Sequence, residues 1–369
     1  MRLLICAMEY PPQSDGIGNV VFNVINNLRR EGIECVVCSP TGSDIRLGNK
    51  AFIDRFGFFG LIFFWYKVTQ FLKKNDYDVL WIHNPYFVFS TPLPHCLITI
   101  HTTYYGVWYH HIGNTFGLHI YNKIASIIER YCLLKMDKNL TFTCVGQPVC
   151  HELKQIGIAD KKISFIPNGV DCNYFKPQEN KKELRKRFGI PADDSVLLSV
   201  GRLTTQKRPQ ILIDVFSSIQ KEKENITLCF AGKGELLEET KNLAIKRGLQ
   251  KVIFLGYVDD KDLPSLYACS DYYIMTSNYE GAPLTLYEAM ASGLPCIVSD
   301  IPNLDIVQKS NCGLVVNFDD VESATKKILT YMEKNISEHS HNAREVAEKE
   351  LDWGIIAQRY EEIFEHQCM

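Results

Sequence analysis

Two doubly wound α/β units in tandem are the fold that this sequence predicts. Three observations carry that reading. Short β-like apolar runs alternate with amphipathic helical stretches along the chain, the pattern of mostly parallel sheets. The series begins afresh after a turn-rich stretch, Phe165–Ile166–Pro167–Asn168–Gly169–Val170–Asp171, and a charged helix from Lys181 to Phe188. The length, 369 residues, suits two to three domains of about 150 residues, and two is the simpler division.

The elements follow in order. RLLICAM (2–8) reads as the first strand, and Asp15–Gly16–Ile17–Gly18 as a loop. Val20, Val24 and Leu28 then recur at helical spacing. ECVVCSP (34–40), DVLWIHNP (78–85), HCLITIH (95–101) and NLTFTCVG (139–146) read as further strands of the first unit. In the second unit the strands are SVLLSVG (195–201), ITLCFAG (226–232), KVIFLGYV (251–258), DYYIMTS (271–277) and LPCIVSD (294–300). The last helix, from Leu351 to Phe364, gathers Trp353, Ile356, Tyr360 and Phe364 on one face. The expected division is 1–168, 169–350, and a terminal helix over 351–369 that packs back on the first domain.

Composition narrows the function. The 40 basic and 43 acidic residues leave a net charge of −3, so no basic excess is available to neutralise a phosphate backbone, and nucleic acid is not an expected partner. Hydrophobic residues at 46% and charged residues at 22% are ordinary for a globular protein. Thirteen cysteines read as reduced thiols of a cytoplasmic protein, since several sit inside apolar runs. Cys35 and Cys38 form a lone C-x-x-C on a strand, where residues three apart point to opposite faces, so zinc is not expected. No targeting segment is read: the apolar run from Leu3 to Met8 is too short for a signal-peptide core. The uncharged stretch from Val79 to Ile100 is interrupted by Pro85, Pro92 and Pro94. The aromatic run from Phe56 to Tyr66, beside Lys67, Lys73 and Lys74, suits either a buried helix or a peripheral membrane contact.

In open α/β sheets ligands bind beyond the carboxyl ends of the strands, so the chemistry is expected in four strand-to-helix loops. The first, Pro11 to Gly18, offers Gly16 and Gly18 for close approach of backbone to a ligand, or only a tight turn. The second holds Arg202 and Lys207, a fork and an ammonium suited to a diphosphate, or two solvated cations. The third, Ala231–Gly232–Lys233–Gly234–Glu235, repeats the glycine pattern at a helix start. In the fourth, Pro283 suits a first helical turn, with Glu280 before it and Glu288 on the helix body. The rise from Pro283 to Glu288 is about 7–8 Å. The two carboxylates can therefore meet two hydroxylated groups, with free helical N–H groups between them for an anion. Two diols flanking a diphosphate describe a nucleotide sugar.

These residues carry a family resemblance. E-G-A-P-L-T-L-Y-E-A-M-A-S-G-L-P (280–295) resembles the E-x7-E signature of retaining glycosyltransferases of the GT-B fold, family 4. P-N-G-V-D (167–171) is similar to that family's interdomain segment. V-G-R-L-T-T-Q-K-R-P (200–209) is similar to its G-R-L…K-G segment, with Arg208 where Gly is common. A-G-K-G-E (231–235) and F-L-G-Y-V (254–258) also agree. The resemblance implies two Rossmann-like domains facing across a cleft. It implies a catalytic set of His101, Arg202, Lys207 and Glu280, with Arg202 and Lys207 on the donor diphosphate and Glu280 and His101 toward the sugar. Donor binding would involve Gly16, Gly18, Gly232 and Gly234, the backbone at Leu284 and Thr285, Glu288 on the ribose, and Tyr257–Val258 beside the base. It further implies a UDP- or GDP-sugar as substrate, a glycan or lipid-linked acceptor, and no cofactor. The acidic pairs do not suit a metal cluster: Asp193–Asp194 precedes a strand, Asp259–Asp260 precedes the helix of Leu263 to Ala268, and Asp319–Asp320 lies near a late helix start, where capping is the plain reading, so no metal is expected. A sugar-nucleotide epimerase and a non-catalytic nucleotide-sugar-binding subunit are the alternatives.

Overall fold

The structure is a computed structural model that describes residues 1–11, 16–42, 44–86, 93, 95–110, 116–136 and 140–368, apart from the side chain of Phe58. Asp15 of the first loop, Pro92, Pro94 and Asn139 lie outside the described residues. The chain forms two compact units: Met1–Gly169 with Trp353–Met369, and Val170–Asp352.

The first unit runs β1 (Arg2–Cys6), α1 (Gly16–Arg30), β2 (Glu34–Ser39), β3 (Ile45–Arg46), α2 (Lys50–Phe56), α3 (Phe58–Leu72), β4 (Val79–His83), β5 (Cys96–Ile100), α4 (Tyr104–Tyr109), α5 (Phe116–Lys135), β6 (Thr141–Cys144), α6 (Gln147–Ile156) and β7 (Ile163–Phe165). Its parallel sheet has the order β3-β2-β1-β4-β5-β6-β7. Every residue of β4 and of β5 is buried, as expected of inner parallel strands covered on both faces. Helix α1 buries Val20, Val21, Val24, Ile25 and Leu28 and ends in Arg29 and Arg30, which suit the negative end of its dipole.

The second unit runs α7 (Lys181–Arg187), β8 (Ser195–Val200), α8 (Pro209–Glu222), β9 (Ile226–Ala231), α9 (Leu237–Lys246), β10 (Val252–Gly256), α10 (Leu263–Ala268), β11 (Tyr272–Met275), α11 (Leu284–Ala291), β12 (Cys296–Ser299), α12 (Ile306–Lys309), β13 (Gly313–Val316), α13 (Val321–Met332) and α14 (Ser337–Val346). Its parallel sheet has the order β10-β9-β8-β11-β12-β13. The last helix, α15 (Trp353–Cys368), belongs to the first unit. It buries Trp353, Ile356, Tyr360 and Phe364, and the rings of Tyr360 and Phe364 lie 4.8 and 5.5 Å from Trp81 of β4.

Ten strands stand where the sequence places them. The three it does not show, β3, β7 and β13, are all edge strands of two to four residues. An edge strand is covered less and needs no continuous apolar run, so it leaves a faint pattern. The thiol expectation is corrected at one pair: Cys144, ending β6, and Cys150, on α6, form a disulfide with Cα atoms 5.6 Å apart. The other eleven cysteines are free, and ten of them are buried. No described helix is long and apolar enough to cross a membrane.

Helix α5 carries an acid into the first unit. Glu129 is buried and accepts the Tyr105 backbone N–H at 3.1 Å. Burial, with nearby Glu152 adding to it, pushes its carboxyl from the ordinary 4.5 up to about 8. The folded state therefore keeps a proton that the unfolded chain releases between those values. The resulting stability is fully present below about pH 4.5 and is lost as pH rises through about 8. Glu129→Gln cannot lose that proton. We expect the melting temperature of the wild type to fall more steeply than that of Glu129→Gln between about pH 5 and about pH 9. Parallel melting curves across that range would refute the assignment.

Candidate active site

A parallel sheet turns all its strand-to-helix loops toward one edge, and a crevice opens where the strand order reverses. In the second unit that point is β8, flanked by β9 and β11. In the first it is β1, flanked by β2 and β4. The predicted residues separate accordingly: Gly16, Gly18 and His101 in the first unit, the others in the second.

At the second reversal the loops after β8 and β11 are tied together. Lys207 Nζ lies 2.5 Å from Glu280 Oε1, and Glu280 is only 6% exposed. Around this pair the Gln206 amide donates to the Tyr279 carbonyl at 2.8 Å. The Asn278 N–H donates to the Gln206 carbonyl at 3.0 Å, and the Thr276 hydroxyl to the Lys207 carbonyl at 2.8 Å. Asn303 donates to the carbonyls of Glu280 and Gly281. Arg208 sits in the left-handed region, φ +49°, where Gly is the easier residue. Its guanidinium binds the Thr276 carbonyl at 2.7 Å and Asp319 at 2.5 Å, which offsets that strain. Arg202 is exposed and has no hydrogen-bond or ion-pair partner among the described residues.

The glycines of this site face backbone. Gly201 donates to the Ala231 carbonyl at 2.9 Å, Leu203 to Lys233 at 3.0 Å, and Leu236 back to Leu203 at 3.0 Å. A Cβ on Gly232 would collide with the Gly201 carbonyl, and one on Gly234 with the Leu203 backbone. The close approach that the sequence suggests is, within this unit, an approach of two loops to each other. Gly232 also has φ +149°, which side chains rarely adopt.

Helix α11 begins one residue later than the sequence implies: Pro283 stands at its N-cap, outside the first turn, with extended backbone. Leu284 and Thr285 open the helix, half-buried, and the Thr285 hydroxyl lies 2.8 Å from that of Tyr273. Glu288, also half-buried, accepts from the Tyr267 hydroxyl at 2.7 Å. Burial pushes the Glu288 carboxyl up to about 7, with the Tyr267 hydrogen bond opposing and Asp260 reinforcing the shift. Tyr257 is exposed, and Val258 rests partly buried on the same core.

In the first unit, His101 does not stand alone. Its Nε2 lies 2.9 Å from Nδ1 of His83, at the end of β4, and both rings are buried. Burial, then the His101 ring, holds His83 well below the usual histidine range. Asn84 adopts a left-handed backbone, φ +44°. Its side chain accepts the His101 N–H at 2.8 Å and donates to the Thr102 carbonyl at 3.1 Å. His83 and Asn84 line a cavity of about 260 Å³ together with Met8, Glu9, Ile17 and Thr103. Gly16 opens α1 with free space around its Cα, while Gly18 is buried in that helix.

The pairs Asp193–Asp194 and Asp319–Asp320 have structural partners. Asp194 is buried against Thr227 and Lys251, Asp193 pairs with Lys182, and Asp319 with Arg208. Asp320 caps α13 by accepting the Ser323 N–H at 3.0 Å. Among the described residues no three His, Cys, Asp or Glu side chains converge as a metal site would require.

Sequence patterns do not mark His83, Asn84, Tyr267, Tyr273 or Asn303 as site residues. The His-Asn before Pro85 in DVLWIHNP is the one available signal, since it occupies a strand's carboxyl end. The tyrosines and Asn303 come from elements distant in sequence and leave none.

Comparison with known proteins gives two family matches that divide the chain between them. The model described as Glycosyltransferase Family 4 matches residues 14–174. The model described as Glycosyl transferases group 1 matches residues 180–350. Among curated relatives, the mannosylfructose-phosphate synthase of Agrobacterium fabrum is 31% identical over 258 residues, 62% of this chain and 55% of that protein. The UDP-Gal:alpha-D-GlcNAc-diphosphoundecaprenol alpha-1,3-galactosyltransferase of Escherichia coli is 32% identical over 197 residues, 50% of each. The chain thus spans about half the length of these two relatives. Among solved structures, sucrose-phosphate synthase from Thermosynechococcus elongatus superposes with a TM-score of 0.79 at 19% identity, covering 99% of this chain and 98% of that one. Anabaena Alr3699/HepE in complex with UDP and glucose gives 0.74 at 19%, covering 99% and 100%. At such identities the superpositions show the fold alone.

The Lys207–Glu280 pair makes a stability prediction. Lys207→Ala strands a buried carboxylate and should cost about 3 kcal/mol. In a Glu280→Gln background the same change should cost about 1 kcal/mol or less. Denaturant titrations of the four proteins measure this coupling, and equal costs in both backgrounds would show that the pair carries no energy.

Proposed function

Because the chain belongs to the glycosyltransferases, its first part matching Glycosyltransferase Family 4 and its second Glycosyl transferases group 1, we propose that it moves a sugar from a nucleoside-diphosphate sugar to a hydroxyl acceptor with retention at the anomeric carbon. The observation that carries this reading is the buried Lys207–Glu280 pair at the strand-order reversal, with Glu288 farther along the same loop and helix. In this reading the donor diphosphate draws Lys207 from Glu280, and exposed Arg202 adds a fork for a second phosphate oxygen. The N–H groups that open α11, at Leu284 and Thr285, face the same anion. Glu288 accepts from the ribose hydroxyls, and Glu280, released from Lys207, accepts from a hydroxyl of the sugar.

The bond between the sugar's anomeric carbon and the phosphate oxygen then breaks as charge collects on the diphosphate. The acceptor oxygen attacks from the same face and its proton passes to the leaving phosphate oxygen, so no protein nucleophile is required. Fixed cations aimed at the developing charge are the main catalytic device, each worth about 3–4 kcal/mol. In this scheme no divalent metal is needed. His101 takes the sugar side, with Gly16 and Gly18 on the phosphate side.

A UDP-sugar is the favoured donor, supported by the UDP bound in the Anabaena neighbour. A glycan or lipid-linked saccharide is the favoured acceptor, supported by the diphosphoundecaprenol named for the Escherichia coli relative. We place the reaction at the cytoplasmic side of a membrane, in surface polysaccharide or glycoconjugate synthesis. A lipid-linked acceptor requires peripheral contact with the membrane that carries it.

The direct test incubates the protein with a UDP-sugar and mixed acceptors, with and without EDTA, and reads the product's anomeric configuration by NMR. An α-donor should yield an α-linked product in both. An epimerised donor, binding without turnover, or activity that EDTA abolishes and Mn²⁺ restores would each overturn part of the scheme. Glu288 adds a pH dependence. Its carboxylate form, populated as pH rises through about 7, is the stronger acceptor for ribose hydroxyls and accepts at both oxygens. UDP affinity should therefore rise between about pH 6 and about pH 8, and rise less in Glu288→Gln. Glu280→Ala should keep UDP binding yet lose turnover.

A further inference from the structure

Helix α5 turns three polar residues inward. Asn122, Ser126 and Glu129 share its buried face with Ala125, Cys132 and Leu133. Its outward face carries Phe116, Ile120, Ile124, Ile127, Tyr131 and Leu134, all exposed, at the three- and four-residue spacing of a single stripe. The aromatic segment before it splits in the same sense. Leu61, Phe64 and Trp65 of α3 are core, while Phe56, Phe59, Phe63 and Tyr66 are exposed, with Phe59 at 77%. The two faces adjoin: the Tyr121 hydroxyl of α5 comes within 3.8 Å of where a Cβ on Gly57, between α2 and α3, would stand. Of the twenty large hydrophobic side chains exposed among the described residues, fourteen lie on α2 to α5. Scattered exposed apolar residues need no explanation, but this concentration does.

On α2 the exposed Asp54 pairs with Lys50, and the exposed charges of α3 and α5 are all positive. On α3 and α5 the exposed charged residues are Lys67, Lys123, Arg130 and Lys135, and Lys73 and Lys74 follow α3. The only acid on either helix is the buried Glu129. Several cations sit against the aromatic rings themselves: Lys67 over Phe63 at 5.1 Å, Lys135 over Tyr131 at 5.9 Å, and Arg55 of α2 over Phe56 at 5.6 Å. We propose that this face seats the protein on an anionic lipid surface, the apolar stripe entering the headgroup boundary and the cations meeting lipid phosphates. A second copy is the poorer occupant. A two-fold contact sets a patch against itself and would oppose like charges across it. The proposal deepens the reading of a lipid-linked acceptor, yet it stands on the surface alone and is tested without donor or acceptor.

The experiment is co-sedimentation with vesicles of phosphatidylcholine alone and of phosphatidylcholine with an equal part of phosphatidylglycerol. The wild type should pellet with the anionic vesicles and release progressively as salt is raised. Ile124→Ser/Ile127→Ser changes two side chains that are 55% and 61% exposed, so the melting temperature and the UDP-induced thermal shift should persist. Its partition should fall at least about tenfold. Phe59→Ser/Phe63→Ser should act in the same direction from α3. Lys123→Gln/Arg130→Gln/Lys135→Gln should erase the preference for anionic vesicles. Equal pelleting by the wild type and both apolar variants would overturn the proposal. So would a wild-type dimer in sedimentation equilibrium that Ile124→Ser/Ile127→Ser separates, since the face would then belong to a second copy. Loss of the UDP shift in the wild type would count against the transferase reading and leave the lipid surface standing.

Discussion

A buried carboxylate that must be neutralised governs the second unit. Glu280, 6% exposed, is paired with Lys207, and stranding one partner of a buried pair is costly; Lys207 reaches it only because β8 and β11 are neighbours whose carboxyl ends point the same way. That requirement fixes the path of the loop after β8. It must lie against the loop after β11, where Gln206, Lys207 and Arg208 are all engaged by backbone or side-chain bonds. On its other side it presses on the loop after β9, and only glycine at 232 and 234 leaves room for the Gly201 and Leu203 backbone. Residues that read as separate motifs in the sequence are consequences of one packing problem.

The same arrangement separates the two glutamates of the fourth loop. Glu280 faces a lysine, whereas Glu288 faces a phenol and the fixed charge of Asp260, in a setting that pushes it up to about 7. Environment alone can give two like side chains different tasks. In the proposed reaction the paired carboxylate releases its cation to the incoming anion, while a carboxylate near its midpoint at neutral pH accepts hydroxyl hydrogen bonds at both oxygens only in its ionised form. If Lys207 changes partner as proposed, the lacing of the loops means that little rearrangement is needed, which is what preorganised electrostatics requires.

The inner strands were legible because a strand covered on both faces is a continuous apolar run, as in VLWIH and CLITI. The loops after them were legible because a parallel sheet sends them all to one edge. What the sequence hid were features held by partners far away in the chain. Asn303 supports the Glu280 loop from 23 residues off, and the His83–His101 contact joins two strand ends 18 residues apart. The Cys144–Cys150 bond was hidden for a different reason. A spacing of six across a strand-to-helix turn has no signature, and apolar surroundings argue as well for a thiol. Pro283 shows the limit at element ends, where one residue separates a cap from a first turn.

Periodicity also cannot say which face of an amphipathic helix is inside, and α5 shows what decides it. The start of α4 needs acceptors. The Tyr105 N–H is taken by Glu129 of α5. The Thr103 hydroxyl, which itself caps the Gly106 N–H, donates to Glu152 of α6. A Cβ on Gly106 would collide with the Glu152 carboxyl, so the fit there is already tight. Thr103 stands two residues after His101, whose own N–H is held by Asn84. Glu129, on the buried face of α5, thus helps to hold the segment beside the histidine pair. Turning Asn122, Ser126 and Glu129 inward leaves Phe116, Ile120, Ile124, Ile127, Tyr131 and Leu134 facing out, and the lipid surface proposed for this face is an environment in which that exposure carries no cost.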